Sequence, residues 1–280
     1  MVWVIPNVEF FPLTDRMPGG AGNIPDVYHW AQRDYGARVG IWRLMEVLDR
    51  FRIRATVALN ADVCDLYPQI LEAGMVRNWE FMGHNAHNTQ RLSDLDPVNE
   101  RVLIHTSLDR IREALGTRPR GWLGSGLQET WHTLEFLAEA GIEYVADWVN
   151  DDQPYWMEVG GHRLISVPYS VEINDKPAYE VHHRTPEEFC DMIRRQFDCL
   201  YEESQHSPRV MAIALHPYLS GVPHRIGALV RALEHIDGHP GVVWATGYEI
   251  AEAFRAVVPP PSRQRGEATR AESDVRTGHL

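Results

Sequence analysis

Short apolar runs alternate with amphipathic helical segments along nearly the whole chain, and six of the runs end on a polar or aromatic residue. This order restricts the fold more than any other feature. Strands separated by helices pair in parallel, and the side chains at their C-terminal ends converge on one mouth. Val2 to Ile5 reads as a buried first strand that ends at Asn7-Val8-Glu9, and Ala55 to Asn60 reads as the second. Trp79 to Met82 leads into Gly83-His84-Asn85-Ala86-His87-Asn88, and Val210 to Leu215 ends on His216-Pro217-Tyr218. Gly121-Trp122-Leu123, Glu143 to Asp147 and Val242 to Ala245 complete the parallel series, and Gly160-Gly161 marks a hairpin turn.

Helix signals fall between these runs. Ile41, Leu44, Met45 and Leu48 share one helical face. Asp96-Pro97 supplies an N-cap and a first-turn proline, and Thr185 to Glu188 and Thr246 to Glu249 are capping boxes. The loop from Phe10 to Gln32, rich in Gly, Pro and Asp, is expected to lie over the mouth. With 280 residues, 44% of them hydrophobic, the chain can bury one large core without disulfides. The expectation is therefore one α/β domain over residues 1–257, a distorted (β/α) barrel with about seven parallel strands. The polar stretch 258–280, opened by Pro259-Pro260-Pro261, reads as a disordered tail.

A net charge of −12 argues against nucleic acid as a partner, and no apolar run is long enough for a membrane span. Cys64, Cys190 and Cys199 read as thiols of a reducing compartment. The start carries no secretory pattern, so the expected location is cytoplasmic and the expected partner a small-molecule substrate. A homo-oligomer is expected on general grounds.

The titratable strand ends are the catalytic candidates: Glu9, His84, His216 and Asp151. Each alone has a structural explanation, such as a hydrogen bond in a polar rim; together they point to catalysis. Proline after His216 fixes an extended backbone there, suited to a rigid acid or base. Asn88, Ser125 and Tyr169 are candidate substrate contacts. Tyr35 and Arg38, placed ahead of the first helix, are candidates for holding an anion or carbonyl, although Arg38 can equally pair locally. Trp122 is a candidate for a pocket floor or for core packing. His84 and Asn88 lie four apart and His84 and His87 three apart, spacings that face one object on a helical turn. Asn is a poor zinc ligand, so a metal on Glu9, His84 and Asn88 would be badly made. Gly36-Ala37-Arg38-Val39-Gly40 lacks the preceding strand that a nucleotide-binding loop needs.

The strand-end series, with Arg33 to Arg43, Arg118 to Gly124, Asp147 to Pro154, Val167 to Ser170 and Leu215-His216-Pro217, resembles the polysaccharide deacetylase superfamily. The resemblance runs from about Asn7 to about Phe254 and is greatest to the branch of metal-independent allantoinase and cyclic-imide hydrolases. In the zinc members of that superfamily a base aspartate and a ligand aspartate follow the first strand, and two histidines four apart follow the third. The resemblance places these on Asn7, Glu9, His84 and Asn88, so base and second histidine are replaced here. It also implies that His216 protonates the leaving group. The expected function is hydrolysis of a non-peptide C–N bond, a cyclic amide or imide, with no cofactor, Glu9 or His84 as base and His216 as acid. Two alternatives stand beside it: a zinc-dependent sugar deacetylase with an altered site that takes His87 as substitute ligand, and an inactive ligand-binding relative.

Overall fold

The first strand, β1 (Val2–Val8), is buried along its whole length, as expected for a strand covered on both faces. Its side chains divide by parity. Trp3 and Ile5 join Ala58, Met82, Tyr144, Ala212 and Ala214 inside the curve of the sheet. Val2, Val4 and Val8 pack outward with Leu44, Leu48, Ile193 and Leu233 of the surrounding helices. The same alternation carries along every long strand and decides which strand-end side chains reach the mouth.

The computed structural model describes residues 1–261 of the chain. After β1 come α1 (Val27–Tyr35), a π-helical turn (Gly36–Gly40), α2 (Ile41–Arg50), β2 (Thr56–Leu59), α3 (Asp62–Leu66) and α4 (Pro68–Val76). Then follow β3 (Glu80–Gly83), α5 (Pro97–Leu115), β4 (Gly121–Trp122), α6 (Thr133–Glu139), β5 (Tyr144–Val145), β6 (Tyr155–Val159) and β7 (His162–Ser166). The chain continues through α7 (Pro186–Glu203), β8 (Met211–Leu215), α8 (Pro217–Ser220), α9 (Pro223–Asp237) and α10 (Gly247–Val257). The sheet order is β6-β7-β5-β4-β3-β2-β1-β8, parallel throughout except for β6 against β7. This is the distorted barrel-like α/β sheet with seven parallel strands, and Gly160-Gly161 turns the antiparallel hairpin as expected. The stretch Val242 to Ala245 makes only a single bridge, Trp244 to Val2, rather than a strand. Of the tail, residues 262–280 lie outside the described residues. No helix of the described residues is long and apolar enough to cross a membrane.

The caps form where the sequence signals them: Asp96 accepts from the N–H groups of Val98 and Asn99, and both capping boxes close. The first helix differs from expectation. Asp26 accepts from the His29 N–H and starts α1 inside the stretch read as a loop. Tyr35 therefore sits within the first helix and Arg38 in the π-helical turn that follows it, not ahead of it. The π-helical turn then carries Gly36 and Gly40 against the segment that follows His216. A Cβ on Gly36 would lie 2.8 Å from the Tyr218 nitrogen, and one on Gly40 would collide with the Pro217 carbonyl. Close backbone approach is thus the role of this glycine pair. We expect Gly40→Ala to cost about 1–3 kcal/mol by overpacking and to lower turnover by displacing Pro217 beside His216. Thermal unfolding and turnover of the variant check this; a variant as stable and as active as wild type would refute it.

The N-terminal end of the barrel is closed by a polar knot. The Glu80 carboxylate accepts from Thr56 Oγ1 at 2.9 Å, Tyr144 Oη at 2.8 Å and the Tyr248 N–H at 3.0 Å. Burial pushes the Glu80 pKa up against these three hydrogen bonds. Chemistry is therefore confined to the opposite, C-terminal end.

Candidate active site

Inward parity places Glu9 above Asn7 on β1, His84 above Met82 on β3, and His216 above Ala214 on β8. The three meet. Glu9 Oε1 lies 3.6 Å from His84 Nε2 and 3.5 Å from His216 Nε2, with all three side chains 5% exposed or less. Asn7 stays below as a structural group: its Nδ2 donates to the carbonyls of Ile5 and Leu215, and its Oδ1 accepts from Tyr169 Oη at 3.4 Å.

His216 is held from behind by Asp175, which is fully buried. The imidazole Nδ1 lies 2.7 Å from Asp175 Oδ1, and the His216 N–H donates to Asp175 Oδ2 at 2.8 Å. Ser220 Oγ donates to the same oxygen at 2.6 Å. Burial alone would lower the His216 pKa, but the charges of Glu9 and Asp175 outweigh it and raise it to about 9. For Glu9, burial acts upward, and it is overcome first by the His216 charge and then by Lys176, which hold the carboxyl well below its usual range. Glu9 and His216 are therefore a buried ion pair. At an effective dielectric of about 20, unit charges 4 Å apart attract by about 4 kcal/mol, while desolvation costs several kcal/mol per ion. The Coulomb attraction alone does not hold the pair, so the hydrogen bonds from the partners around it decide its stability.

His84 is oriented by a backbone carbonyl. Its Nδ1 lies 2.6 Å from the Leu123 oxygen, which can only accept, so Nδ1 carries the proton and Nε2 in the neutral ring is a lone-pair atom. His84 Nε2 and Glu9 Oε2 are both buried without a hydrogen-bond partner. The two side chains meet at the mouth, and two unpartnered acceptors there suit a donor molecule with two protons, such as water.

Asn88 occupies the third corner through a relay that begins at the backbone. The Phe10 N–H donates to Asn60 Oδ1 at 2.8 Å, which turns Asn60 Nδ2 toward the His84 carbonyl and toward Asn88 Oδ1 at 3.4 Å. Ser125 Oγ also donates to Asn88 Oδ1. The Asn88 oxygen is thereby engaged on its far side, and its Nδ2 donates to Glu9 Oε1. An amide N–H cannot ligate a metal. The donor set Glu9, His84 and Asn88, as the network orients it, does not fit zinc. His87, the other candidate ligand, faces Thr89 instead, its Nδ1 2.8 Å from Thr89 Oγ1. Residues 84–88 also form no helical turn; the Asn88 N–H binds the Phe10 carbonyl at 2.9 Å and ties the loop to the end of β1.

The structure thus brings together Glu9, His84, His216, Asn88, Ser125 and Tyr169. Four other candidates fall elsewhere. Trp122 packs with Leu108 and Leu137 on the helix side of the sheet, so its indole is core and not a pocket floor or oxyanion donor. Arg38 is exposed and 3.9 Å from Asp34, a local pairing. Tyr35 accepts from Arg43 at 3.3 Å. Asp151 is exposed and accepts from the Gln153 N–H. Sequence reasoning missed Asp175 and Lys176. Asp175 follows Ile173-Asn174, which run beside β8 only through the Asn174 to Ala214 bridge. A single bridge leaves no periodic run to flag it.

A second carboxyl pair lines the mouth. Asp147 Oδ1 accepts from the Gly124 N–H at 2.7 Å. Burial, then the Glu129 charge, holds the Asp147 carboxyl well above its usual range, and burial raises Glu129 to about 7.

The fold is shared with solved structures named as polysaccharide deacetylases and as an allantoinase, and the chain is similar in sequence to two deacetylases. No family model matches the chain. It is 29% identical over 243 residues to a putative polysaccharide deacetylase of Schizosaccharomyces pombe, covering 81% of this chain and 76% of that protein. It is 23% identical over 252 residues to a peptidoglycan deacetylase of Helicobacter pylori, covering 79% and 85%. Among solved structures, a probable polysaccharide deacetylase of Pseudomonas aeruginosa superposes with a TM-score of 0.85 at 24% identity, covering 93% of this chain and 92% of that one. An allantoinase does so with a TM-score of 0.84 at 24% identity, covering 93% and 91%.

Proposed function

We propose that this protein hydrolyses a non-peptide C–N bond in a cyclic amide or imide, without a metal. The observation that carries the reading is the Asn88 amide nitrogen turned onto Glu9 where a metal ligand would have to be. In this mechanism a water donates its two protons toward Glu9 Oε2 and His84 Nε2, leaving a lone pair for the carbonyl carbon. Glu9 or His84 takes a proton as the C–O bond forms. The second Asn88 amide hydrogen and nearby backbone N–H groups receive the oxyanion. His216, charged at neutral pH, gives its Nε2 proton to the ring nitrogen as the C–N bond breaks. Loss of that proton removes the charge that holds the Glu9 pKa down, so Glu9 becomes a stronger base as the acid discharges. A ring imide is more electrophilic than an acetamide, so it needs a Lewis acid less. The same reading takes a small-molecule substrate, a cytoplasmic setting and a homo-oligomer.

A zinc-dependent deacetylase is the second reading. It is favoured by the unpartnered His84 Nε2 and Glu9 Oε2 and by the deacetylase names of the two sequence relatives. A panel of allantoin, hydantoins, succinimide, linear formamides and acetylated chitooligosaccharides separates the two. Ring opening with no deacetylation is the expected result. Deacetylation with every ring amide left intact would overturn the proposal.

A further inference from the structure

Away from the mouth, α7 and α9 lie side by side, and Asp198 of α7, His235 of α9 and His239, two residues beyond α9, come together. One ligand atom from each lies within 4.8 Å of the others. We propose that these residues bind one divalent transition-metal ion of the zinc class and clamp α7 to α9. Several features suit the site to that ion. His235 Nε2 already lies 2.6 Å from Asp198 Oδ1. His239 Nδ1 donates to the His235 carbonyl at 2.8 Å, which fixes the proton on Nδ1 and leaves Nε2 as the ligand atom. Both rings are positioned by aromatic packing: Phe197 has its centroid 4.9 Å from that of His239 and 5.8 Å from that of His235, and Tyr201 lies 5.0 Å from His239. Tyr201 Oη anchors the following residue by donating to the Pro240 carbonyl at 2.9 Å. The segment is therefore tied to α7 at two points before any ion arrives.

Two imidazoles and one carboxylate with an open fourth position for water suit zinc, whose Zn–N and Zn–O bonds are about 2.0–2.2 Å. Asp198 keeps 54% of its side-chain surface exposed and His235 keeps 22%, so an ion has a path from solvent. In binding, the metal takes the place of the hydrogen bond between His235 Nε2 and Asp198 Oδ1. Because α9 follows α8, which begins at Pro217, the clamp would brace the chain just beyond His216.

Zinc chloride titrated into the full chain by calorimetry, with thermal unfolding in parallel, tests this. The expected result is one zinc per chain and a higher unfolding midpoint with zinc. His235→Ala and His239→Ala should each weaken binding at least about 10-fold and abolish the thermal shift, with ring-amide turnover unchanged. Unaltered zinc binding in the His235→Ala/His239→Ala protein would place the ion elsewhere and overturn the proposal, as would no binding to wild type. Because neither variant touches Glu9, His84 or His216, this result is independent of whether the proposed hydrolysis is correct.

Discussion

Replacing His216 by Asn is expected to lower kcat/KM on a ring-amide substrate by about 10²–10⁴-fold, the contribution typical of a positioned general acid. Asn can still donate toward Asp175 but cannot carry a proton to the leaving nitrogen. The substitution also leaves Glu9 buried without its countercharge, and breaking such a pair costs about 3–5 kcal/mol. Circular dichroism at the assay temperature is therefore part of the measurement. The double variant Glu9→Gln/His216→Asn removes both charges together and should be more stable than the sum of the single losses predicts. The pH dependence carries a further signature. Wild-type kcat/KM should fall as pH rises through about 9, where His216 loses its proton. The stability that His216 contributes follows the same direction: it is fully present below the ordinary histidine value of 6.5 and is lost as pH rises through about 9. Full turnover in a folded His216→Asn protein would remove this residue from the mechanism.

Glu9→Gln is the second large effect. The amide keeps the shape but removes the base and the charge that raises His216. Turnover should fall by about 10²–10⁴-fold. With Glu9 neutral, burial is opposed only by Asp175, so the His216 titration should move down from about 9. Histidine NMR across pH reads that shift directly. A His216 titration that stays in place would show that the two residues do not form the ion pair described, whatever happens to activity.

The order of strands and helices, the hairpin at Gly160-Gly161, the capping boxes and the meeting of Glu9, His84 and His216 were legible in the sequence. Each rests on a local signal: a run of apolar residues, a turn, or a polar residue where a run stops. What was not legible depends on the direction of individual side chains. Trp122 ends a strand of only two residues, too short to reveal parity, and parity turns its ring to the helix side. The spacing of His84 and Asn88 suggested a helical turn, yet the loop is shaped by the Phe10 backbone instead. The orientation of the Asn88 amide is set by Asn60, a residue remote in sequence. Asp175 belongs to a segment whose sheet contact is a single bridge. Gly36 and Gly40 are needed for close approach to the Tyr218 and Pro217 backbones, which lie far away in the chain and leave no local signal.

Metal independence is the central claim of the proposal, and it rests on the Asn88 amide that donates to Glu9 where a zinc ligand would have to be. The most direct test is turnover of a ring-amide substrate by protein whose metal content is known, before and after exhaustive chelation and again after zinc is restored. Activity unchanged through the cycle is the predicted result. Activity lost with the metal and regained with zinc would contradict it, provided the His235→Ala/His239→Ala protein behaves in the same way.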